Sequence, residues 1–212
     1  MIIINKLCKN KIQNLSLYIR SGELVFVYDR KIANIQKLFH LFTGRIEAES
    51  GTIRYLENGS YQNLPGENKI GYVYSKNILL PGRTIKENMQ YIMFIKNLNL
   101  AYSESRIRRI LKFVGLDNYQ DARPDELLDH QLLRANIAAA IINYPPVLIL
   151  HQPTSVLDQV NAQGILHLLY RLNTLSMTIM ILSSDPRPVL GNDIRFIKLN
   201  QCSGKEKKDY YA

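Results

Sequence analysis

The run Val147-Leu148-Ile149-Leu150, entered through Pro145-Pro146 and left through His151-Gln152-Pro153-Thr154, restricts the fold more than any other stretch of the chain. It is too short for a helix, and it lacks the polar alternation of a strand with one wet face. Such a run reads as a strand buried on both faces of a parallel sheet. Sheets of that kind place their chemistry at the carboxyl ends of the strands, so His151 and Gln152 become the first candidate site residues.

The segments around it repeat the theme. Glu23-Leu24-Val25-Phe26-Val27-Tyr28 is a second buried-strand candidate, followed by a short connection and a helix over 33–42 that Thr43-Gly44 ends. Ile70-Gly71-Tyr72-Val73-Tyr74 and 177–185 read as further buried strands, and 194–199 as a last one. The first twenty residues alternate in the β manner, with Leu15, Leu17 and Ile19 on one side. Thr84 with Glu87 three residues on predicts a capping box. Ser103 is a candidate cap for a helix whose Ile107, Ile110, Leu111 and Val114 keep core spacing, closed by Gly115. Asp129 is a candidate cap for the Ala- and Ile-rich helix that leads to the central strand. Helix is also expected over 160–172.

With 212 residues, 46% of them hydrophobic, the chain suits one α/β domain over 1–212. A helical part is expected over about 76–135 and a mobile charged tail over about 203–212. A membrane span needs roughly 18 residues or more of continuous apolar sequence. The apolar stretches 137–142 and 177–182 fall far short of that. The first residues do not read as a signal sequence, so a cytoplasmic location is expected. Cys8 and Cys202 have no metal-ligand spacing and are expected to be reduced. The net charge of +9 suits nucleic acid, an anionic membrane surface or plain solubility. No aromatic-rich basic stripe accompanies it, which argues against single-strand binding.

In outline the chain resembles the ATPases of ABC transporters from about residue 15 to 185, most of all the small ones that serve cell-division and lipoprotein-release permeases. The frame Pro153-Thr154-Ser155-Val156-Leu157-Asp158 matches the end of their Walker B strand and the D-loop, with Ser155, Leu157 and Asp158 facing a dimer partner. The segment 46–59 is similar to their turn and hairpin. The resemblance implies a P-loop NTPase-like α/β fold, with helices on both faces of the sheet, a small antiparallel β subdomain and a helical subdomain. It also implies a location on the inner face of the cell membrane, a membrane permease as partner, and a dimer with itself or a related ATPase. The docking residues would be Ile78, Leu79, Leu80, Tyr91 and Phe94.

Residue by residue, the family's nucleotide motifs are altered. The phosphate loop falls on 29–37 and lacks its three glycines; Asp29 and Lys31 stand in it, Ile35 replaces the phosphate-binding lysine, and Gln36 the magnesium-binding hydroxyl. Ile32 and Ile35 suit a core contact better than a phosphate nest. Ser75 replaces the Q-loop glutamine, Leu128, Asp129 and His130 the signature serine and glycines, His151 and Gln152 the Walker B carboxylates, and Ser184 the switch histidine. From these losses we expect no catalytic residues, no metal, no cofactor and no nucleic acid, and a protein that is not an enzyme: a pseudo-ATPase acting as structural or regulatory partner of the permease. The alternative is an atypical ATPase that binds Mg-ATP through Arg30, Lys31 or Lys37 and energises the permease.

Overall fold

The computed structural model describes residues 1–57, 60–63, 69–185 and 194–199. The expected charged tail, Cys202 and the end of the hairpin expected over 46–59 lie outside them. Two sheets carry the fold. The antiparallel one comprises β1 (Ile2–Lys9), β2 (Ile12–Ile19), β4 (Ser50–Glu57) and β5 (Ser60–Gln62) in the order β2-β1-β4-β5. The parallel one comprises β3 (Leu24–Tyr28), β6 (Ile70–Val73), β7 (Val147–His151), β8 (Thr178–Ser183) and β9 (Arg195–Lys198) in the order β6-β7-β8-β3-β9.

The strands of the parallel sheet alternate between two apolar cores. Leu24, Phe26, Leu148, Leu150, Ile179 and Ile181 face the core built with helices α2 (Ile85–Ile95), α3 (Ser103–Val114), α4 (Asp129–Ile141) and α5 (Gln159–Asn173). Val25, Val27, Ile149, Met180 and Leu182 face the second core, shared with α1 (Ile32–Phe42) and the antiparallel sheet. Each strand residue therefore buries apolar area on one side or the other, which is why the sequence runs apolar without a break.

Several local signals act as the sequence suggests. The Thr84 hydroxyl accepts from Glu87 N at 3.2 Å and the Glu87 carboxylate from Thr84 N at 2.7 Å. This reciprocal capping box opens α2. Gly115 takes φ 76° and closes α3. That left-handed conformation favours glycine. Two caps differ. Ser103 is the first residue of α3, whose cap is Tyr102, because a short helical turn at Leu100–Tyr102, capped by Asn99, leads directly into it. Asp129 lies inside the first turn of α4, where its charge suits the helix dipole. The cap is Leu128, whose N–H is taken by the Gln131 side chain at 3.0 Å.

Candidate functional site

The carboxyl ends of β3, β6, β7 and β8 deliver Asp29, Ser75, His151, Gln152 and Ser184 to one edge of the parallel sheet. Register explains the gathering: Tyr28 pairs with Ser183, Val73 with Leu150 and His151 with Leu182, so the four strands end level. Residues far apart in sequence thus become neighbours.

The connection from β3 to α1 is short and closed by its own side chains. Asp29 is 1% exposed. One of its carboxylate oxygens accepts from Lys31 N at 2.8 Å and the other from the Asn34 amide at 2.8 Å. A negative charge at the start of a helix is favoured by the unsatisfied N–H groups there, and here the chain supplies that charge itself. Arg30 and Lys31 are exposed beside it, and Lys37 is half-buried. Gln36 is exposed, whereas Ile35 is fully buried as the sequence suggests. Ile32 departs from expectation: it opens the helix on the outside and stands in solvent. A cavity of about 190 Å³ lies next to this connection, lined by Lys11, Gln13, Asp29 and Asn34 among others. Asn34, the buried partner of Asp29, carries no signal in the sequence and escapes sequence reasoning.

The β7 end forms a second closed cluster. Ser75 Oγ lies 3.2 Å from His151 Nδ1, and the His151 ring stacks on Phe39 of α1 at 5.0 Å between centroids. Its Nε2 is buried with no partner. Burial lowers the His151 pKa below the usual histidine value, with His40 adding to the effect, so the ring is neutral in the fold. Gln152 sits at φ 52°, donates from Nε2 to Ser184 Oγ at 2.9 Å, and accepts through Oε1 from Ser184 N at 3.1 Å and from Ser183 Oγ at 3.4 Å. A smaller cavity, lined by Ser75, Asp129, Asn136, Gln152 and Val156 among others, joins this cluster to the start of α4. Of the three residues at that start, Asp129 stands across the cavity from the β7 end; Leu128 and Asp129 are exposed and His130 is half-buried.

A neutral buried histidine imposes a pH dependence. Protons bind the unfolded chain more readily than the folded one, so stability is full above the unfolded value of about 6.5 and falls as pH drops below it, levelling off below the folded value. The melting temperature is expected to decline between neutral pH and pH about 5.5, and His151→Gln to flatten that decline. A variant with the same pH profile as the parent would show that His151 is not the group responsible.

The loop after β7 keeps a strand-to-helix turn. Ser155 Oγ donates to Gln152 O at 3.1 Å. The Asp158 carboxylate caps α5 by accepting from Asn161 N at 2.9 Å, which holds it below the usual carboxylate range. Leu157 is half-buried. The expected docking set divides: Ile78, Leu80, Tyr91 and Phe94 are exposed, but Leu79 is 5% exposed and belongs to the helical core. The Asn77 side chain and Asn88 hold the backbone of Leu79 and Leu80, turning Leu79 inward, so it drops out of the set.

Magnesium, which the family resemblance implies, does not fit this donor set. Its positions hold an imidazole engaged with Ser75 and an amide engaged with Ser183 and Ser184, whereas magnesium takes oxygen ligands and prefers carboxylates. Among the described residues, no three His, Cys, Asp or Glu side chains lie together in a way that could hold a metal.

Comparison with known proteins decides the family. The model for "ABC transporter" matches residues 12–155, well over half of the chain. The chain belongs to the ABC transporter family. It is 27% identical over 169 residues to the lipoprotein-releasing system ATP-binding protein LolD of Blochmanniella floridana, covering 76% of this chain and 72% of that one. It is 29% identical over 198 residues to LolD of Buchnera aphidicola subsp. Schizaphis graminum, covering 88% and 81%. Its fold is shared with the ABC transporter cassette MJ0796, solved as a dimer, at TM-score 0.74 and 23% identity over 94% of this chain and 95% of that one. CbiO1 of Clostridium perfringens, part of the cbiONQ complex, gives TM-score 0.76 and 23% identity over 87% and 78%.

These matches correct one expectation. The reading of the chain as a non-enzyme does not hold, because the relatives that match most of its length are ATP-binding proteins by name and belong with it to a family of transport ATPases. Among the described residues no helix is long and apolar enough to cross a membrane.

Proposed function

We propose that this chain is the ATP-binding subunit of a transporter, with an atypical residue set at the nucleotide, and that it works by docking on a membrane permease and pairing with a second ATP-binding subunit. The match to the ABC transporter family over residues 12–155, which includes every motif position from the β3–α1 connection to Ser155, carries the reading. The relatives' names point to a permease of the lipoprotein-release kind. The exposed Ile78, Leu80, Tyr91 and Phe94 give the helical side an apolar surface suited to such docking.

At the nucleotide, Arg30 and Lys31 are the exposed cations nearest the start of α1 and would meet the phosphates with their side chains, in place of a glycine-lined backbone nest. Gln152 is able to orient a water but not to take its proton. Turnover is therefore expected to be slow, by about 10² to 10⁴-fold relative to a site with a carboxylate base.

Calorimetric titration of ATP, in magnesium and again in EDTA, tests this. Binding is expected, and Arg30→Ala and Lys31→Ala are each expected to weaken it about tenfold or more, since a charge-assisted hydrogen bond contributes about 1.5 to 3 kcal/mol. The absence of any binding at millimolar ATP would overturn the nucleotide part of the reading.

A further inference from the structure

The outward side of α3 is cationic. Ile107, Ile110, Leu111 and Val114 bury one side of the helix, which leaves Ser105, Arg108, Arg109 and Lys112 exposed on the other. Arg106 stands at the border, with its guanidinium 5.2 Å from the ring centre of Tyr144 in the turn between α4 and β7. Further along, the Arg171 guanidinium of α5 lies 4.5 Å from the ring centre of Phe113. Three separate stretches of chain thus add to one basic and aromatic surface, with Tyr102 at 70% exposure where α3 begins. The sequence shows no such stripe, because Tyr144 and Arg171 are distant from α3 along the chain.

Little in these helices balances the charge. Arg106 with Arg109, and Arg108 with Lys112, are neighbours on the helix surface, and like charges at that spacing oppose the helix. Glu104, the acidic residue of α3, is engaged with Lys86 Nζ at 2.7 Å, and of the outward cations it is Arg108 that feels it. Helix α4 has an acid only in its first turn, and α5 has none. Arg109 and Lys112 are in no ion pair among the described residues. An anionic partner outside the chain would relieve this repulsion.

The ring contacts narrow the kind of anion. Single-stranded nucleic acid binds by stacking bases on open aromatic faces. Here guanidinium groups already stand over Tyr144 and Phe113, and a guanidinium held over a ring keeps N–H groups for phosphate oxygens. Tyr102, with Leu100 beside it at 46% exposure, adds an aromatic and an apolar side chain of the kind that settles at the headgroup level of a bilayer. We propose that this surface binds the phosphate headgroups of an anionic bilayer through Arg106, Arg108, Arg109, Lys112 and Arg171, with Tyr102 at the headgroup level. Helix α3 shares its core with α2, which carries the Tyr91 and Phe94 assigned above to the permease, so a chain docked there is already at a membrane. The lipid contact is nonetheless a property of the free chain and does not rest on that docking.

Co-sedimentation of the purified chain with vesicles tests the contact, using phosphatidylcholine alone and phosphatidylcholine mixed with phosphatidylglycerol, at low and high salt. Binding to the anionic vesicles alone is expected, weakened by salt. Each basic residue close to an anionic bilayer contributes about fivefold to partitioning, so Arg109→Gln with Lys112→Gln is expected to lose about 25-fold. Both residues are exposed, and the circular dichroism spectrum is expected to stay unchanged. Lys6→Gln with Arg54→Gln removes the same charge from exposed positions on the antiparallel sheet and is expected to leave partitioning as it was. A parent that ignores anionic vesicles, or binds neutral ones as well, would overturn the proposal. So would equal losses in the two double variants, which would mean that net charge and not this surface attracts the lipid. Titration of a DNA duplex and of a single strand covers the other polyanion: binding there that the α3 variant abolishes, without binding to vesicles, would give the surface to nucleic acid and overturn the lipid assignment.

Discussion

Phe39→Ala is expected to cost about 3 to 5 kcal/mol of unfolding free energy, the range for deleting a large buried aromatic. Phe39 is 1% exposed and stands beneath the candidate site. It stacks on His151 at 5.0 Å, meets Tyr74 edge-on at 5.0 Å and Tyr72 edge-on at 6.2 Å. Truncation removes these ring contacts at once, with a further edge contact to His40, and leaves a void between α1 and the end of β7 that neither a sheet strand nor a fully packed helix readily collapses to fill. The loss has a local consequence too, because the ring that orients His151 toward Ser75 is gone. Chemical denaturation measures the first effect. A loss below about 1.5 kcal/mol would mean that α1 settles onto the sheet and that this ring packing does not hold the site together.

Gly71→Val is expected to be at least as damaging, at about 3 kcal/mol or more, for a different reason. A Cβ at this position in β6 would lie 2.5 Å from the Ala140 carbonyl oxygen of α4 and 3.0 Å from Leu148 Cδ1. The closest atom is backbone in a packed helix, so it has no rotamer to escape into. Either α4 lifts from the sheet or β6 leaves β7. Since α4 begins with the Asp129 turn and β6 leads into Ser75, both sides of the smaller cavity would shift together. Gly71→Ala already introduces the offending atom and is expected to show most of the effect in the same denaturation experiment. A stable Gly71→Val protein would show that α4 stands further from the sheet than this contact requires.

The apolar, unalternating runs at 24–28 and 147–150 determined by themselves that this chain would build a parallel sheet covered on both faces, because residues that are apolar on both sides of a strand have nowhere else to go. The capping box at Thr84 and the left-handed stop at Gly115 likewise follow from chemistry confined to a few neighbouring residues. The spacing of the motif frame, from the β3–α1 connection to Ser155, was enough to mark the family, since strand and helix lengths set by burial leave little room for drift.

The tertiary structure decided what no local pattern encodes. The order β6-β7-β8-β3-β9 interleaves early and late strands, and only that order brings Asp29, Ser75, His151, Gln152 and Ser184 to one edge. Leu79 and Ile32 are both apolar residues near a helix start, yet one is buried by asparagines that turn its backbone inward and the other stands in solvent. In the sequence, Asp29 is a carboxylate within the segment that matches the family's phosphate loop. The fold instead buries it against Asn34 and the N–H of Lys31, because a helix start leaves donors unsatisfied and the nearest carboxylate on the chain reaches them first.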